Sequence, residues 1–241
     1  MATQRNKPST GEIYHIYNRG IEKRRVFMND KDFLRFIHDL FEFNDTEPVL
    51  NLSYYFFRDQ EQSIGVKPQY IKKQREPRKL LVEVLAFCLM PNHFHLLLKQ
   101  RVEDGIPLFM KKLGAGYTGY FNQKYERVGS LFQGVYKCKL IKSESHFIHL
   151  PYYIHLNPLD IEMPEWREGR LKNVKAAMRY LENYRWSSFP DYIGKKNFPS
   201  VTQREFLSKF LAEPKNFKKE IQEWLNNFKP SLIESVVIEP L

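Results

Sequence analysis

Cysteine is nearly absent from this chain. Cys88 and Cys138 are the two it has, too few for a disulfide framework, and a reduced cytoplasmic setting is the simplest expectation. No apolar run approaches the roughly 20 residues that span a bilayer. The opening stretch, MATQRNKPSTGE, lacks the apolar core of a signal peptide, so nothing in it directs export. There is no internal repeat and no low-complexity tract. Acidic side chains are in deficit: 28 Asp and Glu against 38 Lys and Arg give a net charge of +10. That balance favours a polyanion as partner, because lysine and arginine neutralise phosphates and release counterions.

Apolar and aromatic residues are plentiful. Hydrophobic residues make up 42% of the 241, which suits a globular α/β domain with additions, or two small domains. The 14 Tyr and 19 Phe belong mostly to a core, yet rings set among basic residues also suit stacked, unpaired bases.

Along the chain, Glu12 to Gly20 alternates apolar and polar residues and predicts a first strand. Asn29 or Asp30 caps a helix with Phe33, Phe36, Ile37, Leu40 and Phe41 at helical spacing. Residues 44–79 form a basic, exposed loop. LVEVLAFCLM (Leu81 to Met90) is a continuous apolar run suited to a central strand. Pro91 and Asn92 turn the chain, and HFHLLLKQ returns as the second arm of a hairpin. A helix follows over about Leu108–Tyr125, with Pro107 in its first turn. An extended segment comes next, with Gly134 as a bend, and then a helix capped by Ser143 or Ser145 and ended by Pro158. Further helices are expected at Val174–Asn183, Gln203–Leu211 and Phe217–Phe228. A polar stretch near Lys195–Ser200 marks the clearest boundary.

Two stretches carry the chemistry. In FCLMPNHFHLLLK, strand alternation puts Phe94, Leu96 and Leu98 on one face and His93 and His95 on the other. Paired imidazoles on one face can share a metal ion, and in an apolar hairpin they are costly unless paired with something. In FIHLPYYIHLNP, helical spacing lines up His149, Tyr153 and Asn157. Asn157 is a C-terminal cap or, through its side-chain oxygen, a third ligand. Tyr153 is a core ring or a nucleophile that attacks phosphorus. Its ordinary pKa of about 10 makes it weak at neutral pH, and a divalent ion on the scissile phosphate would help it. Tyr153 and Asn157 stand about 6 Å apart along the helix axis, a fit for a phosphate between them. His149, one turn earlier, is the candidate for proton transfer.

These residues carry a resemblance. MPNHFHLL is similar to the His-hydrophobic-His (HUH) motif of single-tyrosine transposases of the insertion-sequence 200/605 type, above all the REP-associated tyrosine transposases. IYHIYNRG, GSLFQGVYKCKLI, YYIHLNP and YRWSSFPDYIG also resemble segments of that family, in the same order, over residues 12–194. The resemblance implies an α+β fold: a ferredoxin-like or RRM-like antiparallel sheet with helices packed on one face and the metal site on the open side. Residues 12–194 would form the transposase-like domain, with the loop 44–79 inserted, and residues 195–241 a helical C-terminal extension.

It also implies a metal-dependent single-stranded DNA endonuclease and strand transferase that acts near DNA hairpins through a 5′-phosphotyrosine. Tyr153 would be catalytic, and His93, His95 and Asn157 would hold Mg²⁺ or Mn²⁺. Lys99, Arg101, Lys111, Lys112, Lys137, Lys139 and Lys142 are the candidate DNA contacts. Single-stranded DNA and DNA hairpins would be the partners of a monomer or homodimer associated with the nucleoid, with no membrane involved. The alternative is a hairpin-selective nucleic-acid binding protein without catalysis on the same fold. The chain departs from the family pattern at Val135, where arginine is common, and at LDIEMPEW, which is acidic where a basic-and-small segment is common.

Overall fold

A computed structural model describes residues 7–47, 77–211 and 213–230. Most of the loop expected at 44–79 lies outside the described residues. Strands β1 (Ile13–Arg19), β2 (Val82–Met90), β3 (His93–Gln100) and β4 (Lys137–Leu140) form one sheet in the order β2-β3-β1-β4. Every neighbouring pair is antiparallel. With α1 (Asp30–Glu42) between β1 and β2, and α2 (Gly105–Lys124) between β3 and β4, this is the ferredoxin-like β-α-β-β-α-β arrangement. The α+β antiparallel sheet expected from the resemblance is present, whereas the open face expected beside it is not.

The two crossover helices cover one face. Asn29 caps α1 by accepting from the Lys31 amide, and Asp32 completes the capping box, which satisfies amides left free at the helix start. The apolar stripe of α1 meets Phe94, Leu96 and Leu98 of β3, together with Phe109, Leu113 and Tyr117 of α2. Asp32 is buried and accepts from Lys124 Nζ, Tyr120 Oη and Tyr125 Oη, which pins the end of α2 to the start of α1. Gly116 lets α2 approach the Phe43 ring; a methyl there would sit 2.5 Å from Phe43 Cε2.

The second face is covered as well, so helices lie on both sides of the sheet. Helix α3 (Glu144–Leu156) starts at Ser143, whose side chain accepts from the His146 amide. It runs through Pro151, whose missing N–H removes one intrahelical bond, and ends before Asn157. Leu150, Tyr153 and Ile154 of α3 pack with Ala86, Cys88 and Leu97 of the sheet. The same core takes in α5 (Val174–Asn183), through Ala177, Met178 and Leu181. It also takes in Leu207 of α7 (Arg204–Leu207) and Phe217, Ile221 and Leu225 of α8 (Pro214–Asn226).

Strand β2 was expected in the centre of the sheet and is an edge strand. Its apolar character has a different cause. Both of its faces are packed, and its outer edge is occupied by the Tyr184–Gln203 segment. The Leu89 amide donates to Trp186 O, the Ser188 amide to Phe87 O, and the Gln203 amide to Val84 O. Tyr184 Oη donates to Leu89 O, and Tyr192 Oη, from α6 (Phe189–Tyr192), donates to Leu85 O. An edge whose backbone groups are satisfied in this way needs no polar side chains to face water.

Candidate metal and nucleophile site

The sheet register places the candidate residues. Directly opposed residues share a face. His95 faces Tyr17 on β1 and Cys88 on β2, and Tyr17 faces Lys137 on β4. The adjacent row towards the hairpin turn is Arg19, His93 and Met90. The adjacent row on the other side is Lys139, His15, Leu97 and Ala86. The two histidines thus stand on the face that α3 covers, as alternation predicts, with cations beside them on β1 and β4.

His93 is held by its neighbour. Asn92 Nδ2 donates to Lys23 O at 3.3 Å, which fixes the amide and leaves Asn92 Oδ1 as the acceptor. His93 Nδ1 lies 2.6 Å from that oxygen, so Nδ1 carries the proton and donates. His93 Nε2 then presents a lone pair, and it is buried without a hydrogen-bond partner. That is the state in which imidazole binds a metal. His95 Nδ1 lies 3.0 Å from His15 Nε2, and the rings of His93 and His95 are 5.0 Å apart and perpendicular. Burial pushes His93 and His15 down to about 3 and His95 well below the usual histidine range. For His93 the guanidinium groups of Arg19 and Arg167 add to that push. All three imidazoles are therefore neutral at physiological pH.

Tyr153 meets these rings in its own chain. Its ring centroid is 5.7 Å from that of His95 and 6.4 Å from that of His15, edge-on to both. The neighbouring Tyr152 turns the other way, donating to Glu220 of α8 and stacking on Phe217. Burial raises the Tyr153 pKa, while the charge and hydrogen bond of Arg167 oppose the rise. The Arg167 guanidinium carbon is 5.2 Å from the Tyr153 ring centroid. Asn157 donates from Nδ2 to Tyr153 O at 2.7 Å, and its Oδ1 faces Arg167 Nη2 at 3.4 Å. Among the described residues, no group of three or more His, Cys, Asp and Glu is placed to hold a metal. His93 and His95 are the candidate nitrogen donors, and the candidate oxygen, Asn157 Oδ1, is engaged by Arg167 Nη2.

The remaining candidates scatter. His149 is half-buried, with Nδ1 unpartnered. Lys137 and Lys139 flank the histidine rows on β4, and Lys142 is exposed just beyond. Lys99 lies over the Phe206 ring at 4.1 Å, and Arg101 pairs with Glu83 at 2.7 Å. Lys111 and Lys112 sit on α2, across the sheet from the histidines, where Lys112 Nζ donates to the carbonyls of Asp45 and Glu47.

Residues that sequence reasoning passed over stand beside the candidates: His15, Asn92, Arg167 and Asp160. A signal existed for the first, since His15 shares the alternation of the β1 strand. Asn92 was legible only as a turn residue, and Arg167 and Asp160 sit in or beside a segment notable only for its acidity.

No helix among the described residues is long and apolar enough to cross a membrane. No curated protein matches the chain. A solved REP-associated tyrosine transposase bound to a REP hairpin is similar at 13% identity, over 83% of this chain and 90% of that chain, with a TM-score of 0.47. The family model of the IS200-like transposases matches residues 66–157. The stretch that carries His93, His95, Tyr153 and Asn157 is thus a match to the IS200-like transposase family, in agreement with the resemblance read from the sequence.

Proposed function

We propose that this protein is a metal-dependent, single-strand DNA endonuclease and strand transferase that works near DNA hairpins through a covalent bond to Tyr153. The observation that carries the proposal is the edge-on approach of Tyr153 to His95, at 5.7 Å, within one chain. Beside it His93 Nε2 is buried and unpartnered. In the reaction the Tyr153 oxygen bonds to the scissile phosphorus, the bond from phosphorus to the 3′ oxygen breaks, and the phenolic proton is lost. The product is a 5′-phosphotyrosine and a free 3′ hydroxyl.

The donor types suit a divalent ion. His93 and His95 would supply imidazole nitrogens and Asn157 an amide oxygen, and the ion would polarise the scissile phosphate. Two nitrogens suit Mn²⁺ at least as well as Mg²⁺, which prefers oxygen. Arg19, Lys137 and Lys139 line the same face beyond the histidines and would take the phosphate backbone.

The test is Tyr153→Phe with a labelled hairpin oligonucleotide that the wild-type protein nicks in Mn²⁺. The adduct should disappear, as it should on chelation with EDTA; an adduct that survives the substitution removes Tyr153 from the chemistry. One observation favours the alternative of a hairpin binder without catalysis: Tyr153 is 3% exposed. Tight hairpin binding with no nicking under Mn²⁺ would decide for it.

A further inference from the structure

We propose that Arg167 is a catalytic residue that holds the phenol oxygen of Tyr153, and that Asp160 is the residue that positions it. The assignment rests on Tyr153 being the nucleophile. Arg167 lies in the 3-10 turn Pro164–Glu168 that follows α4 (Leu159–Glu162). Its guanidinium makes two parallel bonds to one carboxylate: Nε donates to Asp160 Oδ1 at 2.7 Å and Nη2 to Asp160 Oδ2 at 2.6 Å. Trp166 Nε1 donates to Asp160 Oδ1 as well, at 2.7 Å. The Asp160 side chain is 4% exposed and that of Arg167 20%, so the fork is fixed and largely dry. From that anchor Nη2 reaches Asn157 Oδ1 at 3.4 Å, and the guanidinium carbon stands beside the buried phenol, 5.2 Å from its ring centroid.

An ion pair that served only to staple α4 to its neighbouring turn would not need its cation against a buried phenol. The arrangement suits the bond change instead. As Tyr153 Oη closes on phosphorus it gives up its proton to water, and the 3′ oxygen leaves with the electron pair of the broken bond and takes a proton from water. Between losing its proton and completing the new bond, Oη carries negative charge. A guanidinium anchored beside the ring stabilises that charge with little reorganisation. Lysine, with one nitrogen, cannot hold Asp160 in a fork and reach Tyr153 at once. The same pairing gives the acidic LDIEMPEW segment a role, since Asp160 belongs to it.

The test uses the full chain, Mn²⁺ and a labelled oligonucleotide that the wild-type protein nicks, with single-turnover adduct formation measured beside the oligonucleotide Kd. The double variant Asp160→Asn/Arg167→Gln removes both charges, so no buried carboxylate is left alone. Its adduct rate should fall on the order of 10²–10³-fold with Kd changed by less than about threefold. Asp160→Asn alone should lower the rate in the same way and by less. Should the double variant not unfold cooperatively, Arg167→Lys decides, with a loss of about tenfold or more expected. A wild-type rate in the folded variants, or a loss matched by the loss in Kd, overturns the assignment. Tyr153→Phe run in parallel separates the two claims: an adduct there removes the nucleophile, whereas its absence together with a normal rate in the Arg167 variants removes this proposal alone.

Discussion

His15 Nε2 lies 3.0 Å from His95 Nδ1, so a side chain of β1 sets the ring orientation of a histidine on β3. When His95 Nδ1–H donates across this contact, the His95 Nε2 lone pair is left for a metal. Ligating histidines whose other nitrogen is held in this way bind more tightly, and losing the holder typically weakens binding 10–100-fold. His15→Phe should therefore weaken Mn²⁺ binding by about that factor, measured by calorimetric titration. Its thermal stability should fall by about 1–3 kcal/mol, because the buried His95 Nδ1–H loses its acceptor, offset in part by removal of the unpaired His15 Nδ1. Unchanged Mn²⁺ affinity would detach His15 from the metal site.

The Asn92 amide does the same for His93. Asn92→Leu removes the acceptor that fixes the His93 tautomer, and a loss of Mn²⁺ affinity of roughly tenfold is expected. Asn92→Asp keeps an acceptor and adds charge, which raises the basicity of the imidazole, so it should bind Mn²⁺ at least as well as the wild type. Equal affinities in all three proteins would contradict this account.

Acid should destabilise the fold through its buried histidines. His155 is fully buried, its Nε2 is 2.9 Å from Ser188 Oγ, and burial pushes its pKa down to about 3. Unfolded, it would titrate near 6.5. Between those values the unfolded chain binds the proton and the folded chain does not, so stability falls as pH drops from about 6.5 towards 3, by up to about 1.4 kcal/mol per pH unit for each such residue. His155→Gln should show a shallower fall between pH 7 and pH 5 in urea unfolding. Parallel slopes for the two proteins would rule the contribution out.

The glycines of α2 should separate by position. Gly116→Ala places a methyl 2.5 and 2.6 Å from two Phe43 ring atoms and should cost about 1–3 kcal/mol. Gly119→Ala meets nothing within 4 Å and should stabilise the helix by roughly 0.5–1 kcal/mol. Thermal unfolding of both variants checks the contrast, and a shift of the same sign in each would refute it.

The hairpin and its faces were legible because strand alternation is local: Phe94, Leu96 and Leu98 lie on one side and His93 and His95 on the other, as their spacing requires. The helix at Val174–Asn183 was legible from its apolar stripe. The standing of β2 was not, because an apolar run reports that its surroundings are buried without reporting whether a strand or the Tyr184–Gln203 segment lies alongside. The meeting of His15 with His95 depends on the register between β1 and β3, which no local pattern encodes. Arg167 and Asp160 become partners of Tyr153 through a turn whose composition reads as solvent-facing acid.

Strand β2 is one rim of the sheet that carries the histidines, and its outward backbone groups at Val84, Leu85, Phe87 and Leu89 are engaged by residues between Tyr184 and Gln203. A rim so occupied cannot recruit a second chain by strand addition. The opposite rim, β4, is four residues long and carries Lys137 and Lys139, a length and charge that discourage pairing there too. Association of copies of this protein by strand addition is thus disfavoured at both rims, which leaves helices and loops as the surfaces through which copies would meet.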